Sequence, residues 1–329
     1  MPAEPGEPDG QGEQFAELAD PYRTELLAHC YRLVGSLHDA EDLVQETLVR
    51  AWRGYGNFDG RSSLRTWLYR IATNTCLTAL GSTHRRVLPS GLGMGTADSA
   101  HADLQRVDTF AWIEPAPTAD LVGPSADPAA IVALRDSTRL ALIAAFQTLP
   151  ARQRAVLILV DVVGYTPAEA ADLLDITVTA ARSLLQRARA AVAETGPARE
   201  HAAADAGPDA DLLHRYLRAF ETADTAAIAD LLKADVEYEM PPHPVWFLGR
   251  YAVLDHHTRR VFTHPHRALP TSANGYPALA TYSQTTDGSF AAHGIQVIEP
   301  TGGLIARVTV FLDEELFAGF GLPLTLPPR

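Results

Sequence analysis

The sequence predicts a multidomain chain: two all-α domains, the second with a helix-turn-helix, and a C-terminal α+β domain. Three observations predict it. Apolar residues recur at helical spacing in two stretches, 21–80 and 133–194. Segments rich in Pro, Gly and Ala, at 81–132 and 195–209, read as linkers, the first of them flexible. From residue 210 to 329, two amphipathic helices lead into segments that alternate with the period of a strand. Residues 1–20, acidic and rich in Gly and Pro, are predicted to be a disordered tail.

At 329 residues the chain is long enough for two or three cores. Its 47% hydrophobic and 20% charged content is that of a soluble globular protein, and no apolar run approaches the ~18 residues that span a bilayer. The start, MPAEPGEPDGQGEQ, has neither the positive charge nor the apolar run of a signal peptide, so a cytoplasmic protein with no membrane partner is expected. Cys30 and Cys76 are too few for a disulfide framework or a four-thiolate metal site, and simple buried packing is expected of both. A net charge of −13 argues against strong DNA binding by the chain alone.

In the first domain, 22–35 reads as a helix with Leu26, Leu27, Cys30, Tyr31 and Val34 on one face, ended by Gly35. A second helix over 39–52 carries Ala40, Leu43, Val44, Thr47, Leu48, Ala51 and Trp52 on its apolar stripe. Asp39, Asp42, Gln45, Glu46 and Arg50 face away, with Asp39 as the cap. After a loop, Ser62 or Ser63 caps a third helix whose apolar face is Leu64, Trp67, Leu68, Ile71, Ala72 and Thr75. Arg65, Thr66, Tyr69, Arg70, Thr73 and Asn74 are predicted to face out. That mix suits a flexible single strand: guanidinium groups for phosphates, rings for stacking, an amide for a base edge.

In the second domain, 133–148 and 151–163 read as helices separated by Leu149-Pro150. Thr166, Pro167 and Glu169 then make a capping box that opens a helix over 167–174. Thr177 caps a longer one, 178–192, after a turn of three or four residues, which is a helix-turn-helix. Ala180, Ala181, Leu184, Leu185 and Ala188 face the core. Thr179, Arg182, Ser183, Gln186 and Arg187 face out, where a major groove would lie.

In the third domain, 212–222 aligns Leu213, Tyr216, Leu217 and Phe220, Thr225 caps 226–232, and 234–240 alternates as a strand. Further strands are expected at 278–285, 289–298 and 304–312, with a hairpin around Pro300-Thr301-Gly302-Gly303. Catalysis needs a base and a polarising acid within reach. Asp255, His243, His256, His257, His264 and His266 are the candidates, and no acid–base pair is evident among them. No enzyme and no cofactor are therefore expected, and His264 with His266 lacks a third ligand at metal spacing.

The 39–52 stretch, followed by Phe58-Asp59-Gly60-Arg61-Ser62-Ser63-Leu64-Arg65-Thr66-Trp67-Leu68-Tyr69-Arg70-Ile71-Ala72-Thr73-Asn74, resembles the first DNA-reading domain of bacterial RNA polymerase sigma factors of the extracytoplasmic-function type. Leu149-Pro150-Ala151-Arg152-Gln153-Arg154-Ala155-Val156-Leu157 and Ala181-Arg182-Ser183-Leu184-Leu185-Gln186-Arg187-Ala188-Arg189 resemble the sigma domain that reads the −35 element. Phe110-Ala111-Trp112-Ile113-Glu114-Pro115 resembles a linker signature of sigma factors with an extra C-terminal domain. The third domain is similar to the SnoaL-like α+β cone fold, in 216–220, 235–242, 246–249 and 304–313.

The resemblance implies an alternative sigma factor that binds core RNA polymerase and directs promoter-specific initiation, modulated by its C-terminal domain. It places polymerase binding on Asp39, Asp42, Gln45 and Glu46. It places the −10 element on Asn57, Phe58, Arg61, Ser62, Arg65, Thr66, Tyr69, Arg70 and Asn74. For the −35 element it implies Arg152, Thr179, Arg182, Ser183, Gln186, Arg187 and Arg189, with Arg182 and Gln186 on bases and Arg152, Arg187 and Arg189 on phosphates. The cone fold implies a ligand pocket lined by Tyr238, Met240, Trp246, Phe247, Arg307 and Phe311. Implied partners are core RNA polymerase, promoter DNA, and an anti-sigma factor or small-molecule ligand. The rivals are a polymerase-independent helix-turn-helix regulator and a SnoaL-like enzyme fused to a DNA-binding module.

Overall fold

Gly35 supplies the left-handed turn (φ 76°) that ends the second helix, and Ser36 caps the third by accepting from the Asp39 N–H at 3.1 Å. The helix expected to start with Asp39 as its cap therefore begins at Leu37, with Asp39 inside its first turn. The computed structural model describes residues 9–81, 85–93, 95–122, 136–194 and 210–328. The first unit comprises α1 (Asp9–Ala19), α2 (Arg23–Val34), α3 (Leu37–Gly54) and α4 (Leu64–Leu80). From residue 9 onward α1 replaces the expected tail, with Phe15 and Ala19 buried; residues 1–8 lie outside the described ones. Ser63 caps α4, accepting from the Thr66 N–H at 3.1 Å.

The connector, expected to be flexible, is packed in its described residues. β1 (Arg86–Val87) pairs in parallel with β2 (Ala111–Trp112), Leu88 and Ile113 are buried, and α5 (Thr118–Leu121) lies against α2. The second unit comprises α6 (Leu140–Gln147), α7 (Ala151–Leu157), α8 (Pro167–Leu173) and α9 (Val178–Glu194), with a π-helical turn at Ile158–Val162. Thr166 and Glu169 form the capping box of α8. The start of the expected 133–148 helix and the 195–209 linker lie outside the described residues.

The third unit starts with α10 (Ala210–Glu221) and α11 (Thr225–Leu231), the latter capped by Asp224 rather than Thr225. Then come β3 (Leu232–Glu239), β4 (Trp246–Leu248), α12 (Arg250–Arg259), β5 (His266–Ala273), β6 (Tyr276–Gln284), β7 (Phe290–Thr301) and β8 (Leu304–Phe311). After α13 (Leu316–Gly319), β9 (Thr325–Leu326) pairs with β7. The sheet order is β4-β3-β8-β7-β6-β5, antiparallel except for β3 beside β8. β5 went unpredicted because it contains Pro270, which an edge strand tolerates and a central one does not.

Both faces of this sheet are buried. Ala278, Ala280, Tyr282, Ile295 and Val297 join the core of the helical units, while Leu279, Ile298, Val308 and Val310 face the core beneath α10, α11 and α12. The sheet is thus a wall shared by the third domain and the two helical ones.

Candidate functional site

On α3, Asp42, Gln45 and Glu46 are exposed, and Glu46 pairs with Arg50 one turn on at 2.5 Å. Asp39 is engaged: Arg86 of the connector lies 2.6 Å from it and 3.5 Å from Glu114, and donates to the Trp112 carbonyl at 2.8 Å. Glu114 accepts from Ser36 Oγ at 2.7 Å, which sets a connector carboxylate at the positive end of α3. Trp52, expected on the buried stripe, is 52% exposed. With Leu48 and Val49 it walls a groove of about 620 Å³ against Phe15, Ala16 and Ala19 of α1. Sequence reading missed this groove because its far wall is the helix taken for a tail.

Around α4, Asn57, Arg61, Ser62 and Asn74 are exposed, and Arg61 pairs with Asp59 at 2.6 Å. Phe58 is half-buried, its ring 6.3 Å from Tyr55 and 5.0 Å from Trp67. Two residues predicted to face out do not: Tyr69 and Thr73 are buried. His29 lies under both, its Nε2 2.9 Å from Thr73 Oγ1 and its ring 4.9 Å from that of Tyr69. Burial, with Arg32 and Arg65 adding to it, pushes His29 down to about 3, so a neutral ring supports this face. Arg65 forks onto Glu25 of α2 at 2.9 and 3.0 Å, its guanidinium over the Tyr69 ring. Tyr165 of the second unit packs edge-on to Tyr69 at 5.7 Å. Arg70 reaches the end of α8, 2.8 Å from Asp172 Oδ2 and 2.6 Å from its carbonyl.

The second unit presents the opposite case. Arg152, Thr179, Arg182, Ser183, Gln186, Arg187 and Arg189 are all exposed. Arg187 donates to Ser183 at 3.0 Å and Arg189 to Asp161 at 2.6 Å. Among the described residues, Arg152, Arg182 and Gln186 have no side-chain partner. One arginine that sequence reading did not single out is buried at the junction with α2. Arg154 donates to the Leu33 carbonyl, to Gln147 Oε1 at 2.7 Å and to the Gln147 and Leu149 carbonyls at 3.2 Å. Four acceptors offset the desolvation of that guanidinium.

The β5–β6 turn inserts between these units. Asn274, fully buried at φ 53°, donates through Nδ2 to the Tyr31 hydroxyl at 2.8 Å and to the Thr138 carbonyl at 2.7 Å. Its Oδ1 accepts from the Ala116 N–H at 3.0 Å, and the Gly275 N–H donates to Thr118 Oγ1 at 3.0 Å. One side chain joins α2, the connector and the approach to α6.

Residues 18–86 match the family model for sigma-70 region 2, and residues 139–192 match that for sigma-70 region 4. Over 320 residues the chain is 46% identical to the ECF RNA polymerase sigma factor SigG of Mycobacterium tuberculosis, covering 96% of this chain and 85% of that protein. The chain belongs to the extracytoplasmic-function sigma factors. It is also 30% identical to the RNA polymerase sigma-H factor of Pseudomonas aeruginosa over 183 residues, 56% of this chain and 86% of that protein. The crystal structure of the Mycobacterium tuberculosis extracytoplasmic-function sigma factor SigJ has the same fold at 24% identity, with a TM-score of 0.59 over 94% of this chain and 99% of that one. As a sigma factor the protein binds core RNA polymerase and directs promoter-specific initiation, which sets aside the polymerase-independent regulator.

The third domain of this sigma factor has the helices and mixed sheet expected of a SnoaL-like α+β cone. Of the residues predicted to line its pocket, Tyr238 and Met240 line a cavity of about 230 Å³, and Phe247 stacks against Tyr238 with rings 6.5 Å apart. Trp246, Arg307 and Phe311 lie elsewhere. Trp246 donates to the Gly93 carbonyl at 3.0 Å, Arg307 pairs with Glu237 and lies 3.6 Å from Glu239, and Phe311 joins the core of the helical units. Strand period is the reason: Tyr238 pairs with Phe247 and Val308, so the neighbouring Trp246 and Arg307 take the other face. Burial pushes His256 down to about 3 and His257 to about 4. Asp255, accepting from Ser99 at 2.5 Å and Arg259 at 2.7 Å, is held below its ordinary value by those bonds. Among the described residues no three His, Cys, Asp or Glu side chains are placed to hold a metal, and no helix is long and apolar enough to cross a membrane.

Proposed function

We propose that this cytoplasmic sigma factor is held closed by its own C-terminal domain, with region 4 resting on the face that reads the −10 element. The observation that carries it is the Arg70–Asp172 pair, 2.8 Å across, which joins α4 to region 4. Elements centred about 25 base pairs apart lie roughly 85 Å apart on B-form DNA. A helical unit of about 55 residues is only roughly 25 Å across. With α4 against region 4, α4 and α9 cannot reach both elements, so core polymerase has to draw them apart. Asn274 opposes that separation by bridging the units, and Arg86 opposes docking by occupying Asp39.

In the open form Asp39, Asp42, Gln45 and Glu46 dock on core polymerase, with Val49 and Trp52 as apolar anchors beside them. Asn57, Phe58, Arg61, Ser62, Arg65, Thr66, Tyr69, Arg70 and Asn74 take the −10 strand once Tyr165 and Asp172 have left. Arg182 and Gln186 read −35 bases, helped by Thr179 and Ser183, while Arg152, Arg187 and Arg189 hold phosphates. The C-terminal domain acts as a restraint rather than an enzyme. Among the described residues Asp255 is engaged by Ser99 and Arg259, and no carboxylate lines the cavity beside its histidines to complete an acid–base pair.

Dyes on cysteines placed at the exposed Thr78 of α4 and Ala190 of α9 test the closed state. Energy transfer is expected to fall when core polymerase is added, and unchanged transfer overturns the reading. Asp42→Arg, at an exposed position, is expected to abolish co-purification with core polymerase without unfolding the protein. Retained co-purification would remove α3 as the docking helix.

A further inference from the structure

The connector crosses the mouth of the C-terminal cavity. Ser99 Oγ donates to Asp255 of α12 at 2.5 Å, the Val107 N–H donates to the Pro242 carbonyl at 3.2 Å, and between these ties Leu104 forms part of the cavity lining. At about 230 Å³ the cavity is smaller than the roughly 300–1,000 Å³ of sites for drug-sized ligands. Phe220, Tyr238 and Met240 make much of its lining apolar, and no carboxylate lines it.

Its polar members include five histidines and Arg260. Burial keeps His256, His266 and His293 neutral, which leaves Arg260 as the permanent charge. Among the described residues the Arg260 guanidinium has no carboxylate partner, although the nearby Arg259 takes Asp255. His256 is 4% exposed, and its Nδ1 has no hydrogen-bond partner. An apolar space with one unpaired cation at its edge and an orphaned imidazole nitrogen suits a small molecule with an apolar body and one anionic, hydrogen-bonding end.

We propose that this cavity binds a small apolar carboxylate whose charged end pairs with Arg260 and whose body rests against Leu104, so that occupancy fastens the connector to the C-terminal domain. Because the ligand touches the connector only while the connector is docked, it favours the docked form by the affinity lost when Leu104 leaves. The consequence, reduced initiation, rests on the closed state proposed above; binding itself does not.

Calorimetry on the full-length protein with octanoate and 1-naphthoate, each against its uncharged amide, tests the site. At least one acid is expected to bind tenfold or more tightly than its amide. Arg260→Gln is expected to erase that preference, Arg260→Lys to restore part of it, and Leu104→Ala to weaken binding severalfold. Bound acid is expected to slow amide exchange over 99–107. Equal affinity for acid and amide, no binding of either acid, a preference that survives Arg260→Gln, or faster exchange over 99–107 would each overturn the proposal. These readouts need no polymerase, whereas the closed state is judged by its separation on core polymerase, so either reading can fail alone.

Discussion

On α9, Arg182 and Gln186 stand in solvent with no side-chain partner among the described residues. On α4, Arg65 is held by Glu25, Tyr69 is covered by Tyr165, and Arg70 is held by Asp172. Both helices carry outward polar side chains suited to nucleic acid, and the free protein presents only one of them openly. The contrast fits the roles proposed for the two faces. A −35 contact is made on intact duplex, which is present before polymerase acts. A −10 contact is made on unstacked single strand, which exists only where polymerase holds DNA melted. On the proposed assignment, covering α4 costs the free protein nothing in promoter reading.

The strength of that cover does not lie in its ion pairs. Arg70 and Asp172 are 44% and 79% exposed, and a pair so open is worth about 0–1 kcal/mol. The proposed closure is carried by buried groups: Asn274, Arg154 and the apolar face of the sheet. Asn274→Ala is accordingly the largest expected change. It leaves the Ala116 N–H without its acceptor and takes a donor from the Thr138 carbonyl and the Tyr31 hydroxyl, at ~1–3 kcal/mol per hydrogen bond lost from a buried group. We expect a loss of roughly 3–5 kcal/mol in urea unfolding, with a larger radius of gyration in solution scattering. An unchanged radius would mean that the turn is not what keeps the units together.

The next effect separates α4 from α9 by pH. His29 supports α4, and no histidine lies in 136–194. Because burial lowers His29 in the folded state to about 3, the unfolded chain takes up a proton first as pH falls below about 6.5. Stability is unaffected by this group above that point, declines below it, and levels off near the folded value. Between pH 7 and pH 5 the protein is expected to lose about 2 kcal/mol more than His29→Asn does, measured by denaturant midpoints. Equal losses would show that His29 is accessible to protons in the folded state.

The smallest expected effect sharpens the comparison most directly. Asp172→Ala removes the carboxylate that pairs with Arg70, leaving the bond to the backbone carbonyl and every proposed DNA contact in place. Affinity of the free protein for a single-stranded −10 oligonucleotide is expected to rise by up to about fivefold, the equivalent of ~1 kcal/mol. Duplex binding at the −35 element is expected to be unchanged. If both rise together, Asp172 acts by general charge repulsion of DNA and not by masking α4.

Local chemistry made much of this chain legible in one dimension. The capping box at Thr166–Glu169, the Gly35 stop, the 3.6-residue stripes of α2 to α4 and the alternating run of β3 are short-range preferences, so the helical pair of domains and the α+β third domain followed from sequence alone. The exposed polar face of α9 was legible for the same reason, since one amphipathic helix decides it. What only tertiary structure decided lies where two elements compete for one surface. Tyr69 and Thr73 look outward by helical period and are buried because region 4 and His29 reach them. Trp52 looks buried by the same period and stays exposed. Arg307 and Phe311 left the pocket because strand register assigned them to the other face of the sheet. Asn274 reads as an ordinary turn residue, and only long-range packing, 243 residues from Tyr31, makes it the bridge between three parts of the chain. Sequence sets the preferences of neighbours along the chain; partners distant in the chain are set by which apolar faces have to be covered together.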